Sequence, residues 1–263
     1  MEENMNALEQ CLNEPEMSIS ERLDPSPKHD AGHYADLPVI RDGRTLEIGD
    51  NAVFDKVYVL GNGDGALAEL PFGNVVAGAG AKVNIVFLVL PGTDIDLPLS
   101  VDIIGEGADV RVSGLYLCSG DGKVRIRTEV RHRKPSCTSY QLFNGIASGH
   151  SSVKFYGKII VAPDAQKTEA YQTNHNLVVS DGAKAEAKPQ LEIYADDVKC
   201  SHGATVGQLN EDEQFYMRSR GIPEAEARVL QMISFISPVL SNVGDESLRA
   251  ELADAVEQAV RNL

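Results

Sequence analysis

The sequence predicts an all-β core followed by a small α-helical region at the C-terminus. From Leu37 to about Leu209 the chain consists of short segments that alternate apolar and polar residues, separated by glycine and aspartate. Alternation with a period of two is typical of strands that bury one face. No stretch of this region has the spacing of an amphipathic helix, whereas the sequence that follows it does. These observations divide the chain into residues 1–36, 37–209 and 210–263.

Residues 1–36 are expected to form an acidic arm or linker. A short helix fits Asn4 to Leu12, but prolines at positions 15, 25 and 27 lie in the polar stretch that follows. Because proline lacks a backbone N–H and clashes with the preceding turn, a helix cannot continue through these positions.

In the middle region the alternation places individual strands. Residues 124–130 and 153–161 each predict one strand, whereas Val110–Val112 and Leu115–Leu117 are assigned to two successive strands.

A short motif recurs where the predicted strands begin: a glycine, one to three small or polar residues, and then the first strand residue. These first residues are Val83, Val110, Val124, Val153 and Ala185, so successive strand starts are 27, 14, 29 and 32 positions apart. Most of these spacings lie in or near the high twenties, and one is about half as long. This recurrence favours a parallel β-helix, a solenoid whose coils contain several short strands. A β-sandwich with irregular turns would also produce strands and glycines, and it remains the alternative on pattern alone.

After the strands, the pattern predicts three helices. Asn210 can cap the first, whose opening turn is acidic, and Gly221 can end it. The second starts at Pro223 and runs toward Pro238, and the third starts at Asp245 with leucines and valines on one face. We expect these helices to cover the end of the solenoid.

The composition argues against nucleic acid and membranes as partners. Acidic residues outnumber basic residues by 39 to 24, which gives the 263-residue chain a formal charge of −15. A chain of this charge repels phosphate-rich polymers and anionic lipid surfaces. Residues 1–36 hold −7 of the charge and residues 211–263 hold −5, so the middle holds only −3. Since no apolar run reaches membrane-spanning length and no signal peptide is evident, the cytoplasm is the expected compartment.

Common catalytic motifs are absent from the sequence. Gly61–Ala66 fits the spacing G-x-G-x-x-A, but a proline follows too soon for the helix that a dinucleotide site requires, so we interpret it as a β-turn. No Walker A, HExxH or GxSxG string occurs. The carboxylate pairs Asp94/Asp96 and Asp196/Asp197 are interpreted as solvated loop residues.

The local sequence with most chemical content is Cys200-Ser201-His202. Residues two apart on a strand face the same side, so the thiol and the imidazole would project together. Sulfur and nitrogen ligands suit iron or zinc, but two ligands do not complete a site. A buried thiol beside a hydrogen-bonded histidine is the simpler interpretation, and His175 has the same simple alternative.

Five distinctive strings follow one another in the C-terminal part of the chain. They are Gln166–Thr168, Thr173–Leu177, Pro189–Ile193, Val198–Thr205 and Phe215–Ile222. In this order they resemble the SufB/SufD family of iron–sulfur cluster assembly scaffolds from bacteria and plastids. The Cys-Ser-His-Gly sequence at residues 200–203 is similar to the SufD branch, because SufB carries a His-Glu pair there.

The resemblance implies a right-handed parallel β-helix over residues 37–209 and a small helical domain over residues 210–263. It also implies a scaffold subunit that is not an enzyme. Its β-helix would pair with a SufB-like subunit, or with a second copy of the chain near His202, and its C-terminal helices would dock a SufC-type ABC ATPase. The implied docking residues are Phe215, Tyr216, Arg218 and Arg220.

By the same resemblance, His202 matches a histidine implicated as an iron–sulfur cluster ligand at the subunit interface, and Cys200 is its neighbouring cysteine. The cluster would be transient and shared with the partner, with none bound tightly by the isolated chain. The sulfur-accepting cysteine of SufB falls near Asn174 here. The chain resembles a short form of the family, since the long N-terminal helical domain is replaced by the acidic residues 1–36.

Two functions from other classes remain as alternatives. One is a β-helix enzyme of the acyltransferase or polysaccharide lyase type, and the other is a stand-alone Cys/His metal-binding protein. Left-handed acyltransferases have strict hexapeptide repeats, which spacings of 27, 14, 29 and 32 do not match. A lyase needs acids and bases grouped on one coil face, and no such group is marked in the sequence. Metal analysis of the purified chain would test the alternative of a stand-alone metal-binding protein.

Overall fold

The computed structural model describes residues 44–61, 70–92 and 94–263. The expected N-terminal arm, its helix from Asn4 to Leu12, and all but the first residue of the turn at Gly61–Ala66 lie outside the described residues. The described ranges contain twelve strands followed by three helices. The strands are β1 (Thr45–Ile48), β2 (Val53–Leu60), β3 (Asn74–Ala77), β4 (Lys82–Val89), β5 (Ile95–Ile103), β6 (Asp109–Cys118), β7 (Lys123–His132), β8 (Thr138–Ala147), β9 (Ser152–Val161), β10 (Glu169–Val178), β11 (Lys184–Ile193) and β12 (Lys199–Gly207). The helices are α1 (Glu211–Ser219), α2 (Glu224–Leu240) and α3 (Glu246–Arg261).

The strands form two parallel six-stranded sheets. Odd-numbered strands pair in the order β1-β3-β5-β7-β9-β11, and even-numbered strands pair in the order β12-β10-β8-β6-β4-β2. Each coil therefore adds one strand to each sheet, and paired residues such as Lys123 and Ser152 lie one coil apart in the sequence. This arrangement confirms the predicted parallel β-helix and excludes the sandwich, whose sheets would be antiparallel.

The uneven spacing of the glycine motifs follows from the two sheets. Val83 and Val110 are register partners in the even-numbered sheet. Val124, Val153 and Ala185 are register partners in the odd-numbered sheet. The single short step of 14 residues leads from β6 to β7, and thus from one sheet to the other within the solenoid.

The prediction of two strands within residues 110–117 was wrong, because both halves belong to the single strand β6. Val110 and Tyr116 lie in the core inside the coils, whereas Leu115 and Leu117 lie in a second core on the outer face. A strand that is buried on both faces carries apolar residues on both, so the alternation that marks a half-buried strand is lost.

Glycine is required at the corners where coils stack closely. Gly149 joins β8 to β9 with a φ of 67°, in the left-handed region. A Cβ at this position would lie 2.9 Å from the backbone nitrogen of Gly120, which forms the equivalent corner one coil earlier. Since the corner needs both this conformation and this close approach, only glycine fits there without strain.

The helices pack against the outer face of the even-numbered sheet, and not over the end of the solenoid as expected. Val86, Leu115 and Ile146 of the sheet belong to one buried cluster with Ile236 of α2 and Val256 of α3. The outward-facing apolar residues of β2 to β8 need this cover, because a sheet must bury its apolar face against another element. At the C-terminal end of the solenoid, eight of the nine residues of β12 are exposed.

Hydrogen bonds at the helix–sheet interface fix the position of the helices. The side-chain amide of Asn84 on β4 donates to the backbone oxygen of Asn242 at 2.8 Å. The amide of Asn144 on β8 donates to the backbone oxygen of Phe235 at 2.7 Å. Both bonds satisfy polar groups beside an apolar interface, so the contact is specific as well as hydrophobic.

Local signals set the ends of the helices. Asn210 and Asp245 accept backbone N–H bonds at the starts of α1 and α3, which confirms the predicted cap at Asn210 and the predicted helix start at Asp245. The second helix runs toward Pro238 as predicted, and it continues two residues beyond this proline. Proline leaves the carbonyl of Ser234 without its usual N–H partner, and the hydroxyl of Ser237 donates to that oxygen instead, at 3.0 Å.

Among the described residues, no helix has both the length and the apolar character needed to cross a bilayer.

A histidine is buried without charge inside the coils. His132, at the end of β7, is 1% exposed, and its Nε2 lies 2.8 Å from Oγ of Ser139. Its Nδ1 has no hydrogen-bond partner among the described residues. Burial lowers the pKa of His132 from 6.5 to about 4, because the charged imidazolium would lose its hydration.

We expect the stability of the protein to fall in acid because of His132. Between pH 6.5 and pH 4 the unfolded chain binds a proton at this residue that the folded chain does not. The free energy of unfolding should therefore fall by up to about 1.4 kcal/mol per pH unit in this window. Urea unfolding at several pH values would measure this slope in the wild type and in His132→Phe, where it should be shallower. Equal slopes would contradict the assignment.

Candidate functional site

The C-terminal coil of the solenoid, formed by β11 and β12, is its most exposed part. Each of these strands is the last in its sheet among the described residues, so each has one edge with unpaired backbone groups. Free edges of this kind are templates for pairing with another chain. The coil therefore offers a place where a partner can extend both sheets.

Cys200 and His202 lie on this coil and face the same way. In the register of β10 and β12, Cys200 pairs with Ala170 and His202 pairs with Gln172, and both partners are buried inside the coils. The side chains of Cys200 and His202 therefore both lie on the inward-facing side of β12. This agrees with the prediction from the sequence that they share one side of the strand.

The environments of these two residues differ. His202 is exposed, whereas Cys200 is half-buried and packs against the small cluster that contains Ala170. Burial raises the pKa of the Cys200 thiol, so it is held in the protonated form at neutral pH. Binding of iron by this sulfur would therefore have to displace the proton.

Two ligands from this chain do not make a complete metal site. In the ranges 44–61, 70–92 and 94–263, no three His, Cys, Asp or Glu side chains are placed to hold a metal ion. A thiol and an imidazole are a donor set that suits iron. An iron-containing group at this end would thus need further ligands from outside the described residues or from a partner.

The other candidate histidine lies on the opposite face of the sheet. His175 of β10 pairs in register with Thr205, and its Nδ1 lies 2.6 Å from the hydroxyl of that residue. Neighbouring positions on its strand, Asn174 and Asn176, are buried inside, so His175 faces outward. The structure therefore does not bring His175 together with His202.

Asn174 belongs to a closed ring of buried hydrogen bonds. Its amide donates to the hydroxyl oxygen of Tyr116 at 2.8 Å. The Tyr116 hydroxyl donates to Oδ1 of Asn176 at 2.6 Å, and the amide of Asn176 donates to Oδ1 of Asn174 at 2.7 Å. Burial raises the pKa of Tyr116, so its hydroxyl keeps the proton that the ring requires. This ring was not predicted from the sequence, although polar residues at alternate positions of one strand were a visible signal.

The carboxylates of Asp94 and Asp96 have structural partners. Asp96 forms an ion pair with Arg125 at 3.0 Å, and Asp94 accepts a backbone N–H at 2.8 Å from the start of β7. Asp196 and Asp197 are exposed in the turn before β12, and the backbone N–H of Asp197 donates to the side chain of Gln166 at 2.9 Å. Asp94, Asp196 and Asp197 are loop residues as interpreted, whereas the interpretation was wrong for Asp96, which is the second residue of β5.

The four predicted docking residues lie on helix α1 and at Arg220, which caps the C-terminal end of this helix. None of its residues is buried, and Phe215 and Tyr216 are 72% and 59% exposed. The guanidinium group of Arg220 lies 5.2 Å from the centre of the Tyr216 ring, and Arg218 pairs with Glu224 at 3.5 Å. Exposed aromatic side chains at this density are typical of a protein-binding surface.

An apolar groove of about 690 Å³ lies between α1 and α2, next to this surface. Among the residues that line it are Leu209, Tyr216, Met217, Leu230 and Phe235. Leu230 is 41% exposed, so the groove adds apolar area to the two aromatic side chains of α1.

Known proteins share most of this chain. The family model described as "SUF system FeS cluster assembly, SufBD core domain" matches residues 42–235. Iron-sulfur cluster assembly protein SufD of Escherichia coli K12 is 38% identical over 159 residues, which cover 60% of this chain and 38% of that protein. Iron-sulfur cluster assembly SufBD family protein Mb1497 of Mycobacterium bovis is 30% identical over 188 residues, or 68% of this chain and 47% of the relative. The chain spans less than half the length of either relative.

Proposed function

Because the chain belongs to the SufBD core family of the SUF iron–sulfur cluster assembly system, we propose that it is a non-catalytic scaffold subunit of a Suf-type assembly complex. The observation that carries the proposal is the family match over residues 42–235, a range that includes all twelve described strands. The iron–sulfur cluster is the cargo of this scaffold. The structural roles of the Asp94 and Asp96 carboxylates weigh against the alternative of a β-helix enzyme.

In this proposal the coil formed by β11 and β12 is the pairing surface. Its free strand edges and exposed side chains favour a partner with the same solenoid architecture, either a SufB-like subunit or a second copy of the chain. Light scattering of the purified chain alone would show whether two copies pair. A stable monomer at micromolar concentration would contradict pairing with a second copy.

The cargo would be held where the two partners meet. His202 provides an exposed imidazole at the pairing surface, and Cys200 provides a thiol on the same face. The partner supplies the remaining ligands, so the cluster is shared and transient, and leaves when the partners rearrange.

We expect His202→Ala to lower the iron retained after anaerobic reconstitution with a SufB-like partner. Losing a ligand should weaken retention by at least about 10-fold, since even loss of a residue that supports a ligand has an effect of this size. His175→Ala is the matched control, because that imidazole lies one strand away on the opposite face. Equal iron contents for His202→Ala and the wild type would remove His202 from the site.

Helix α1 and its groove are the proposed docking surface for a SufC-type ABC ATPase. We expect Phe215→Ala combined with Tyr216→Ala to weaken binding of the purified ATPase by about 10-fold or more, because exposed aromatic anchors dominate such interfaces. Neither residue is buried, so the fold should be unaffected. Val53→Ala is the control, as it removes an equally exposed apolar side chain from the far end of the solenoid. Unchanged affinity of the double variant would place the docking surface elsewhere.

A further inference from the structure

One inward-facing row of the solenoid is polar at its last three positions, and it ends at His202. In the parallel register, Gln141 pairs with Gln172 and Gln172 pairs with His202, so the three residues stack in successive coils of the even-numbered sheet. Gln141 and Gln172 are 3% and 1% exposed. Paired positions in neighbouring strands are about 4.8 Å apart. His202 therefore lies next to a buried side-chain amide.

The two glutamines meet different residues across the interior. Thr128 of the odd-numbered sheet donates its hydroxyl to Oε1 of Gln141 at 2.7 Å. One coil later, the register places Gly157 where Thr128 stood. Gly157 has no side chain, and a Cβ there would lie 2.3 Å from Nε2 of Gln172. The amide of Gln172 thus occupies the space left by the glycine but finds no hydroxyl there.

The amide of Gln172 is therefore unpaired. Neither its Oε1 nor its Nε2 has a hydrogen-bond partner in the described part of the chain. A buried polar group left in this state destabilises a fold by about 1–3 kcal/mol, so its presence needs a reason. Within the row, its polar neighbours are Gln141, whose Oε1 accepts from Thr128 and whose Nε2 has no partner among the described residues, and His202 at the exposed end.

We propose that Gln172 is a positioning residue for His202, an inference that rests on the proposed function. In this proposal the Oε1 atom of Gln172, which is unpaired in the structure, accepts the N–H of the inner imidazole nitrogen after rotation of the side chains, and it holds the ring in one orientation and one tautomer. The outer nitrogen then presents its lone pair to the cluster at the pairing surface. Imidazoles that bind metals generally donate their second N–H to a carbonyl or carboxylate oxygen in this way.

The tautomer of His202 tests this contact directly. In the full chain at a pH where the ring is neutral, ¹⁵N NMR should show one dominant tautomer in the wild type. Gln172→Met, which keeps the side-chain length but removes the acceptor, should give a mixture of both. Gln141→Met, one coil deeper, should leave the tautomer unchanged. A mixture in the wild type, or one tautomer persisting in Gln172→Met, would overturn the proposal.

Two further variants provide an alternative to Gln172→Met and test the direction of the hydrogen bond. Gln172→Leu also lacks the acceptor and replaces Gln172→Met if that protein does not fold. Gln172→Glu keeps an acceptor oxygen, so the proton should stay on the same imidazole nitrogen. A proton on the other nitrogen in this variant would mean that the wild-type amide donates to the ring, which would also overturn the proposal.

Iron retention separates this inference from the proposed function. After reconstitution with ferrous iron, sulfide and a SufB-like partner, Gln172→Met should retain iron about 10-fold more weakly than the wild type, and Gln172→Glu should recover retention. If His202→Ala loses iron but Gln172→Met does not, the positioning role falls while the ligand role stands. If His202→Ala keeps its iron, the ligand role falls, and the tautomer measurement alone decides whether Gln172 holds the ring.

Discussion

Gly145→Ala is expected to abolish the native fold or to lower the free energy of unfolding by about 3 kcal/mol or more, at the upper end of overpacking effects. A Cβ at Gly145 would lie 1.6 Å from Cε2 of Tyr116. The ring cannot move away, because Tyr116 is completely buried and its hydroxyl bonds to both Asn174 and Asn176. Urea unfolding monitored by circular dichroism would measure the change.

A matched glycine in the same sheet provides the control. A methyl group added at Gly203 on β12 would meet no atom within 4 Å among the described residues other than its chain neighbours, so Gly203→Ala should leave stability within about 0.5 kcal/mol. In the Gly145→Ala background, Tyr116→Leu should restore part of the loss, since a smaller side chain removes the clash. A Gly145→Ala protein as stable as Gly203→Ala would contradict the close packing of Tyr116 on β8.

Removal of residues 210–263 is expected to leave a chain that aggregates and shows no cooperative unfolding. The helices bury the outer face of the even-numbered sheet, and without them Val86, Leu115 and Ile146 would face water. Each fully buried aliphatic side chain contributes about 1.5–3 kcal/mol, whereas a whole domain is stable by only about 5–15 kcal/mol. Size-exclusion chromatography and thermal unfolding of the truncated chain would measure the outcome.

The appropriate control is a substitution on one of these helices that does not expose the core. Leu230 of α2 is 41% exposed, so Leu230→Ala should remain soluble with a cooperative transition. A soluble truncated chain with a cooperative transition would show that the solenoid does not depend on its helical cover. Binding studies of the ATPase therefore need substitutions on α1, because truncation would remove the fold together with the docking surface.

Features that depend on neighbouring residues could be predicted from the sequence. The caps at Asn210 and Asp245 are of this kind, because each side chain bonds to the backbone of its own helix start. The shared face of Cys200 and His202 is another, since it follows from the alternation of one strand. The repeat near 29 residues was also visible, and it led to the correct solenoid architecture.

Features that depend on register could not be predicted in the same way. The stacking of Gln141, Gln172 and His202 joins residues about thirty positions apart, and a shift of one residue would send every side chain to the other face. The position of the helices was mispredicted because outward apolar residues such as Leu115 were attributed to an extra strand. Recognised as a second apolar face, they would have indicated the helical cover.

The exposed coil of β11 and β12 has a consequence for local dynamics. In a linear array each coil is stabilised by its neighbours, and this coil has a neighbour on one side only among the described residues. We therefore expect it to open with a lower free energy than the central coils. A partner that stacks on it would supply the missing neighbour, so pairing and ordering of the segment around His202 would be one thermodynamically linked event.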